Sequence, residues 1–241
     1  MFDLGIVVPV RRGSSRIREK TLLPFGEEAT LLEWKLSQLV TVIDPARIYL
    51  STEDDAFLAM GDRFGVRRHK RDRHLAQDHI APFRDVITGI VRDIPHDHIA
   101  WCTVVCPLMP PSEYLEAFRA YRDQVLDGPQ DSLIGVNLTK EYFWEEGRSL
   151  NYEATRNHTI SQDLPDWFKV TNSIYMRDKA SILRDEYFIG PAPVLHQLSK
   201  LSGIDIDYME DYRMAQALYA IYQADGLGTL PSDAAIAWPA A

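Results

Sequence analysis

Two groups of residues in this chain have the types and spacing to do chemistry. One is a basic loop, Arg11-Arg12-Gly13-Ser14-Ser15-Arg16-Ile17-Arg18-Glu19-Lys20; the other is an acidic stretch, Gly203-Ile204-Asp205-Ile206-Asp207-Tyr208-Met209-Glu210-Asp211-Tyr212. The loop follows directly on an apolar run from Leu4 to Val10, which reads as a buried parallel strand, and the end of such a strand is where an anion sits in open α/β sheets. Gly13 lets a ligand approach the backbone, Ser14 and Ser15 offer hydroxyls, and Arg11, Arg16 and Lys20 can donate charge-assisted hydrogen bonds to phosphate oxygens. The competing reading is a solvated basic loop. In the acidic stretch, an extended Ile204 to Asp207 would point Asp205 and Asp207 to the same side. Such a pair either shares a proton or binds a hard cation such as Mg²⁺ together with substrate phosphates. Here the competing reading is a helix cap, with Asp207 at the N-cap and Glu210 completing a capping box. A triphosphate loop and a Mg²⁺ carboxylate pair are together the components of nucleotidyl transfer, which works by positioning and charge neutralisation and needs no covalent nucleophile. The sequence has neither G-x-x-x-x-G-K-[ST] nor a G-x-G-x-x-G after a strand.

The elements that must carry these groups follow from the hydrophobic pattern. After the loop, Leu31 to Val42 has helical spacing and Arg47 to Ser51 reads as a second strand. Asp54 to Phe64 and Pro82 to Arg92 read as helices, and Ile99 to Val105 as a central strand stopped by Pro107, Pro110 and Pro111. A helix from Ser112 to Leu126, with Ser112 as its N-cap, precedes a strand from Ser132 to Asn137. This alternation predicts an α/β fold: a mostly parallel sheet with helices on both faces, in one domain spanning residues 1–241. The period is lost between Thr139 and Phe168, where Tyr142, Phe143, Trp144, Tyr152, Trp167 and Phe168 mix with charges. That segment is expected to be an inserted dimerisation arm, the alternative being a long loop packed on its own core. Thr171 to Met176 reads as a strand, Asp178 to Leu183 as a short helix and Tyr208 to Ala224 as a longer one, with residues 231–241 a loosely held tail.

Composition narrows the function classes. The chain has 241 residues, 46% of them hydrophobic, and a formal net charge of -9, which argues against general nucleic-acid binding. The first twenty residues nevertheless carry five cations against two acids, so a focused basic loop sits on an acidic protein, which suits a small polyanion better than a polymer. The only two cysteines, Cys102 and Cys106, fall in an apolar segment and imply no disulfide. No apolar run reaches transmembrane length and no signal-peptide pattern is present, so a cytoplasmic enzyme without membrane or nucleic-acid partners is expected. His69, His74, His79, His96 and His98 show no metal-ligand spacing.

Taken in order, the motifs resemble those of the acylneuraminate cytidylyltransferases, the CMP-sialic acid synthetase family. The likeness runs through Val8-Pro9-Val10-Arg11-Arg12-Gly13-Ser14 with Lys20, then Tyr49-Leu50-Ser51-Thr52-Glu53-Asp54, and then Arg71 with Leu75-Ala76-Gln77-Asp78. It continues through Pro107-Leu108, Asn172-Ser173-Ile174-Tyr175 and Asp205-Ile206-Asp207 with Glu210-Asp211. The resemblance implies a nucleotide-diphospho-sugar transferase-like, Rossmann-like fold with a small dimerisation arm, and a homodimer that joins CMP from CTP to an acidic, sialic-acid-like sugar with release of pyrophosphate. It implies a CTP site of Val10, Arg11, Ser14, Arg16, Lys20, Arg71 and Asp78, with catalytic roles for Arg11, Lys20 and Asp207. It also implies Mg²⁺ held by Asp205 and Asp207, and an acceptor site of Thr103, Lys169, Thr171 and Asn172.

The departures from the family pattern concern the acceptor. The family's G-S-K is Ser14-Ser15-Arg16 here, which shifts the cation by one residue and makes it a planar guanidinium. Its L-Q-P-T-S-P-L-R is replaced by Cys102-Thr103-Val104-Val105-Cys106-Pro107-Leu108-Met109, which removes most of the polar acceptor contacts, and its R-P-N-G-type stretch by Lys169-Val170-Thr171-Asn172. A site stripped of those groups selects a different ligand, so the acceptor remains open among sialic-acid-like sugars, Kdo and a phosphonate. A nucleotide-binding homologue without catalysis is the alternative of another class.

Overall fold

The computed structural model describes residues 2–14, 16–76 and 81–230. Its centre is a seven-stranded sheet in the order β3-β2-β1-β4-β8-β5-β9. The strands are β1 (Leu4–Pro9), β2 (Ile48–Thr52), β3 (Arg67–Lys70), β4 (His98–Cys102), β5 (Ser132–Thr139), β8 (Trp167–Asp178) and β9 (Pro193–Gln197). A separate two-stranded hairpin, β6 (Trp144–Glu145) and β7 (Arg148–Ser149), lies between β5 and β8 in sequence. The helices are α1 (Leu31–Val40), α2 (Asp55–Asp62), α3 (Phe83–Val91), α4 (Pro111–Tyr121), α5 (Lys179–Asp185) and α6 (Met209–Ala224). Pairing is parallel throughout β3-β2-β1-β4 and between β5 and β9; β8 alone runs antiparallel, to both β4 and β5.

Period-two alternation in the strands feeds two cores, one on each face of the sheet. Leu4, Ile6 and Val8 of β1 pack with Leu32, Leu36 and Leu39 of α1 and with Tyr114, Phe118 and Tyr212 of α4 and α6. Val7, Ile99 and Trp101 face the other way, toward Ile87, Ile90 and Val91 of α3 and Ile182 of α5. Helix α1 begins at a side-chain N-cap: Thr30 Oγ1 accepts from the Glu33 amide at 3.1 Å and donates to the Glu33 carboxylate at 3.0 Å. Leu36 on its inner face is fully buried, so truncation to Ala would cost about 2–5 kcal/mol. Among the described residues no helix is long and apolar enough to cross a membrane.

Several expectations are corrected. The central strand stops at Cys102; beyond it the Thr103 hydroxyl bonds the Asn172 carbonyl of β8 and the Val105 carbonyl accepts from the Ile206 amide. Ser112 is not the α4 cap: Pro110 holds that position and Pro111 occupies the first helical turn, where its missing N–H costs nothing. Strands β3 and β9 carry no apolar alternation and were not expected. The strand expected at Thr171 to Met176 is the inner part of a twelve-residue strand whose outer end pairs Phe168 with Leu138 and Trp167 with Thr139, extending the ladder toward the 139–168 segment. That segment turns through Glu146 and Gly147, both at positive φ, and stacks Phe143 on Trp167 with ring centroids 5.0 Å apart. It also leaves Trp144 and Ile160 more than half exposed. The tail at 231–241 lies outside the described residues.

Candidate active site

The basic loop and the acidic stretch, 186 residues apart in sequence at Lys20 and Ile206, meet in the fold. Arg16 Nη2 lies 2.7 Å from Asp207 Oδ1, Lys20 Nζ lies 3.5 Å from the same oxygen, and Lys20 Nζ donates to the Ile206 carbonyl at 2.5 Å. The Arg16 guanidinium also lies over the Tyr208 ring, 5.5 Å from its centroid. Residues 204–207 form no strand; the Ile206 amide is instead held by the Val105 carbonyl at 2.9 Å, which fixes the segment against the turn that follows β4. The capping reading of Asp207 is overturned. Tyr208 is the N-cap of α6, and it is Asp211 whose carboxylate accepts from the amides of Asp207 and Tyr208, at 3.0 and 2.7 Å. The Asp207 side chain is thereby left to the cations of the loop.

Asn172 joins the second carboxylate to the sheet. It sits in the left-handed region at φ 44°, which asparagine tolerates better than most residues, in a β8 whose pairing with β5 shifts register nearby. Its Nδ2 donates to Asp205 Oδ2 at 2.7 Å, its Oδ1 accepts from the Tyr175 hydroxyl at 2.6 Å and its carbonyl accepts from Thr103 Oγ1 at 2.6 Å. Asp205 Oδ1 is buried without a hydrogen-bond partner. Burial pushes the Asp205 carboxyl up, the Asn172 hydrogen bond opposes this, and the nearby Asp207 charge adds to the rise. Lys169 is exposed on β8, close enough for its charge to act on Asp205. Thr171 is separated from the others: it is buried, with its hydroxyl bonded to the Gly135 carbonyl and to Ser173, so the alternation of β8 turns it into the sheet and away from any acceptor.

Arg71 closes the other side. Buried at the end of β3, it donates to the Val10 carbonyl at 2.6 Å and meets Glu53 at 3.5 Å, while Glu53 also accepts from the Arg12 amide at 3.2 Å. Glu53, unassigned from sequence, therefore ties the start of the loop to Arg71. Arg12 itself pairs with Asp54 at 2.9 Å. A cavity of about 580 Å³ is lined by Val10, Arg11, Ser14, Arg16, Lys20, Arg71, Thr103 and Asn172. Asp205 and Asp207 do not line it themselves; they contact the lining residues Asn172, and Arg16 and Lys20, respectively. Two features of its lining had no sequence signal: Thr21, whose hydroxyl is buried and unpartnered, and an aromatic wall of Phe83, Trp101, Tyr175, Tyr187 and Phe188. Cys102 and Cys106 are free and buried, and burial pushes both thiols up to about 12, so neither is a nucleophile at neutral pH. Asp78 lies outside the described residues.

No family model matches the chain. It is 20% identical over 227 residues to a pseudaminic acid cytidylyltransferase of Campylobacter jejuni, covering 89% of this chain and 95% of that protein. It is also 20% identical over 218 residues to an N-acylneuraminate cytidylyltransferase of Escherichia coli, covering 87% of this chain and 50% of that protein. Among solved structures, a CMP:2-keto-3-deoxy-manno-octonic acid synthetase complexed with CTP superposes with a TM-score of 0.66 at 15% identity, over 90% of this chain and 98% of that one. A 4-diphosphocytidyl-2C-methyl-D-erythritol synthase of Anaerococcus prevotii gives 0.57 at 12% identity, over 90% and 96%. The fold is thus the one these cytidylyltransferase structures share, and over most of its length the chain is similar, at 20% identity, to pseudaminic acid and N-acylneuraminate cytidylyltransferases.

Proposed function

We propose that this chain transfers CMP from CTP to the hydroxyl of an acidic sugar of the nonulosonic type, with release of pyrophosphate. The observation that carries the reading is the junction of Arg16 and Lys20 with Asp207, beside a second carboxylate, Asp205, that presents a buried unpartnered oxygen. Arg11, Ser14, Arg16 and Lys20 would take the triphosphate oxygens, with the Arg71-buttressed Val10 carbonyl and the adjoining backbone reading the cytosine end. The acceptor hydroxyl attacks the α-phosphorus, its proton passing to a carboxylate of the pair, and the P–O bond to pyrophosphate breaks as the new one forms. Thr103, Asn172 and Lys169 are the polar groups left for the acceptor, Lys169 for its carboxylate.

The residues present fit Mg²⁺. Asp205 Oδ1 is buried without a partner, and two carboxylates are what this ion takes when phosphate oxygens and water complete its shell. Asp205 and Asp207 would hold it, and when bound it would neutralise charge on the phosphates. The exposed aromatic segment at 139–168 is proposed as the homodimer contact, and the cytoplasm as the compartment that supplies CTP.

The test is pyrophosphate release from CTP and Mg²⁺ across a panel of acids. Activity with a sialic-acid-like sugar supports the proposal. Activity with Kdo alone supports the second reading; a synthetase for that acid is among the structures that share the fold. Saturable CTP binding with no turnover on any acid makes the chain a binding protein.

A further inference from the structure

Beneath the acceptor side of the cleft, α1 presents three buried donors to a stretch of chain with no regular structure. Trp34 Nε1 donates to the Pro107 carbonyl at 2.7 Å, and Gln38 Nε2 to the carbonyls of Pro107 and Met109, both at 3.0 Å. Between them Lys35 Nζ donates to the Cys106 carbonyl at 2.8 Å and to the Tyr114 hydroxyl at 2.7 Å. Lys35 is wholly buried, and the titratable groups that face it are the thiols of Cys102 and Cys106 and the Tyr114 phenol, with no carboxylate among them. An ammonium there is expensive to desolvate, and an apolar residue of similar volume would pack the same space without that cost.

What the ammonium holds bears on the site. The carbonyl it grips belongs to the residue after Val105, and the Val105 carbonyl is the acceptor for the Ile206 amide, between the two aspartates. The same carbonyl-rich turn carries Thr103, which is bonded to Asn172, the partner of Asp205. We propose that Lys35 is a positioning residue for the carboxylate pair, fixing the Cys106 carbonyl from below and, through the Val105–Ile206 hydrogen bond, the setting of Asp205 and Asp207. The proposal rests on the cytidylyltransferase reading for its catalytic consequence and on geometry alone for its structural one.

The experiment is amide hydrogen exchange by mass spectrometry on the full chain and on Lys35→Met and Lys35→Gln, followed by steady-state kinetics. In Lys35→Met, peptides covering residues 103–109 and 204–208 are expected to exchange about tenfold faster, with those covering β1 and β2 unchanged. The kcat should fall by about tenfold or more while KM for CTP stays within about threefold. Lys35→Gln, which keeps an N–H donor, should recover part of both. Unchanged exchange at 204–208, or faster exchange spread evenly over β1 and β2, overturns the proposal. So does failure of both variants to fold, which makes Lys35 a core residue only. If the unmodified chain releases no pyrophosphate with any acid, the reaction assignment fails, and the exchange data still decide the role of Lys35.

Discussion

Replacing Asp207 by Asn separates chemistry from stability at the site. The side chains of Arg16 and Asp207 are 47% and 35% exposed, so their ion pair, at 2.7 Å, belongs to the solvent-screened class worth about 0–1 kcal/mol. Lys20 is more buried, but at 3.5 Å its contact with Asp207 is the weaker, and its hydrogen bond to the Ile206 carbonyl survives the substitution. Nor does Asp207 cap α6. The expected loss of stability is therefore below about 1 kcal/mol, a shift in Tm of no more than about 2–4 °C for a chain of this size. Activity should respond on another scale, because Asp207 would act by holding the Mg²⁺ that neutralises charge on the phosphates, and loss of one such preorganised electrostatic contact is worth about 10²–10³ in kcat. Asp211→Ala is the counterpart: it removes the acceptor of two helix-terminal amides, one of them that of Asp207, which should cost about 1 kcal/mol of stability with a smaller loss of kcat than Asp207→Asn. The assay pairs thermal unfolding with pyrophosphate release at saturating CTP. The reasoning is refuted if Asp207→Asn lowers Tm by more than about 5 °C and loses activity only in proportion to the folded fraction.

Three further outcomes follow from the same geometry. Asn172→Gly, which keeps the left-handed backbone and removes only the side chain, should lower kcat by about tenfold or more with a smaller loss of stability than Asn172→Val, because a β-branched residue is strained at φ 44°; chemical denaturation and kinetics on the pair check this. Arg71→Lys replaces the guanidinium, whose Nη2 serves both the Val10 carbonyl and Glu53, by a shorter, more strongly hydrated ammonium, so KM for CTP should rise by about tenfold with little change in kcat, as read by initial rates. For Lys35, burial holds the ammonium down from 10.5 to about 8, so the unfolded chain binds the extra proton between those values and the contribution of Lys35 to stability rises with pH across that window. At ~1.4 kcal/mol per tenfold the change amounts to about 3 kcal/mol. The thiols of Cys102 and Cys106 and the phenol of Tyr114, which face Lys35 from β4, the turn after it and α4, are all pushed up by burial and stay protonated through most of this range. Urea unfolding of the unmodified chain and of Lys35→Met at pH 7.5 and pH 10 should show the difference, and identical pH slopes would show that the ammonium does not titrate there.

Much of the architecture is written in local pattern. The β1 run, the helical spacing of α1 and the proline stop before α4 each depend on burial or backbone restriction that a few neighbouring residues specify. β3 and β9 are not legible this way, because Arg67-Arg68-His69-Lys70 and Pro193 to Gln197 are edge strands held by pairing rather than by an apolar face. At the site, the basic loop and Asp205 with Asp207 can be picked out by residue type, and their meeting can be inferred only from the chemistry they would share. Asn172 shows the limit. Its position marks it as a candidate, but its role as the partner of Asp205, Tyr175 and Thr103 depends on a positive φ in β8, which residue type alone does not specify. Thr171 shows the converse, a polar residue beside the site that the strand turns inward to bond Gly135 and Ser173. Asp207 taken alone reads as a cap, and what decides against it is the reach of Asp211, in the first turn of α6.

The most direct test of the central claim follows the label from α-phosphate-labelled CTP with Mg²⁺ and a panel of nonulosonic acids. The account predicts a labelled CMP-sugar and an equal amount of pyrophosphate, both reduced by about a hundredfold or more in Asp205→Asn and Asp207→Asn. Labelled CTP that binds and is recovered intact with every acid, or transfer that persists in both variants, would contradict it.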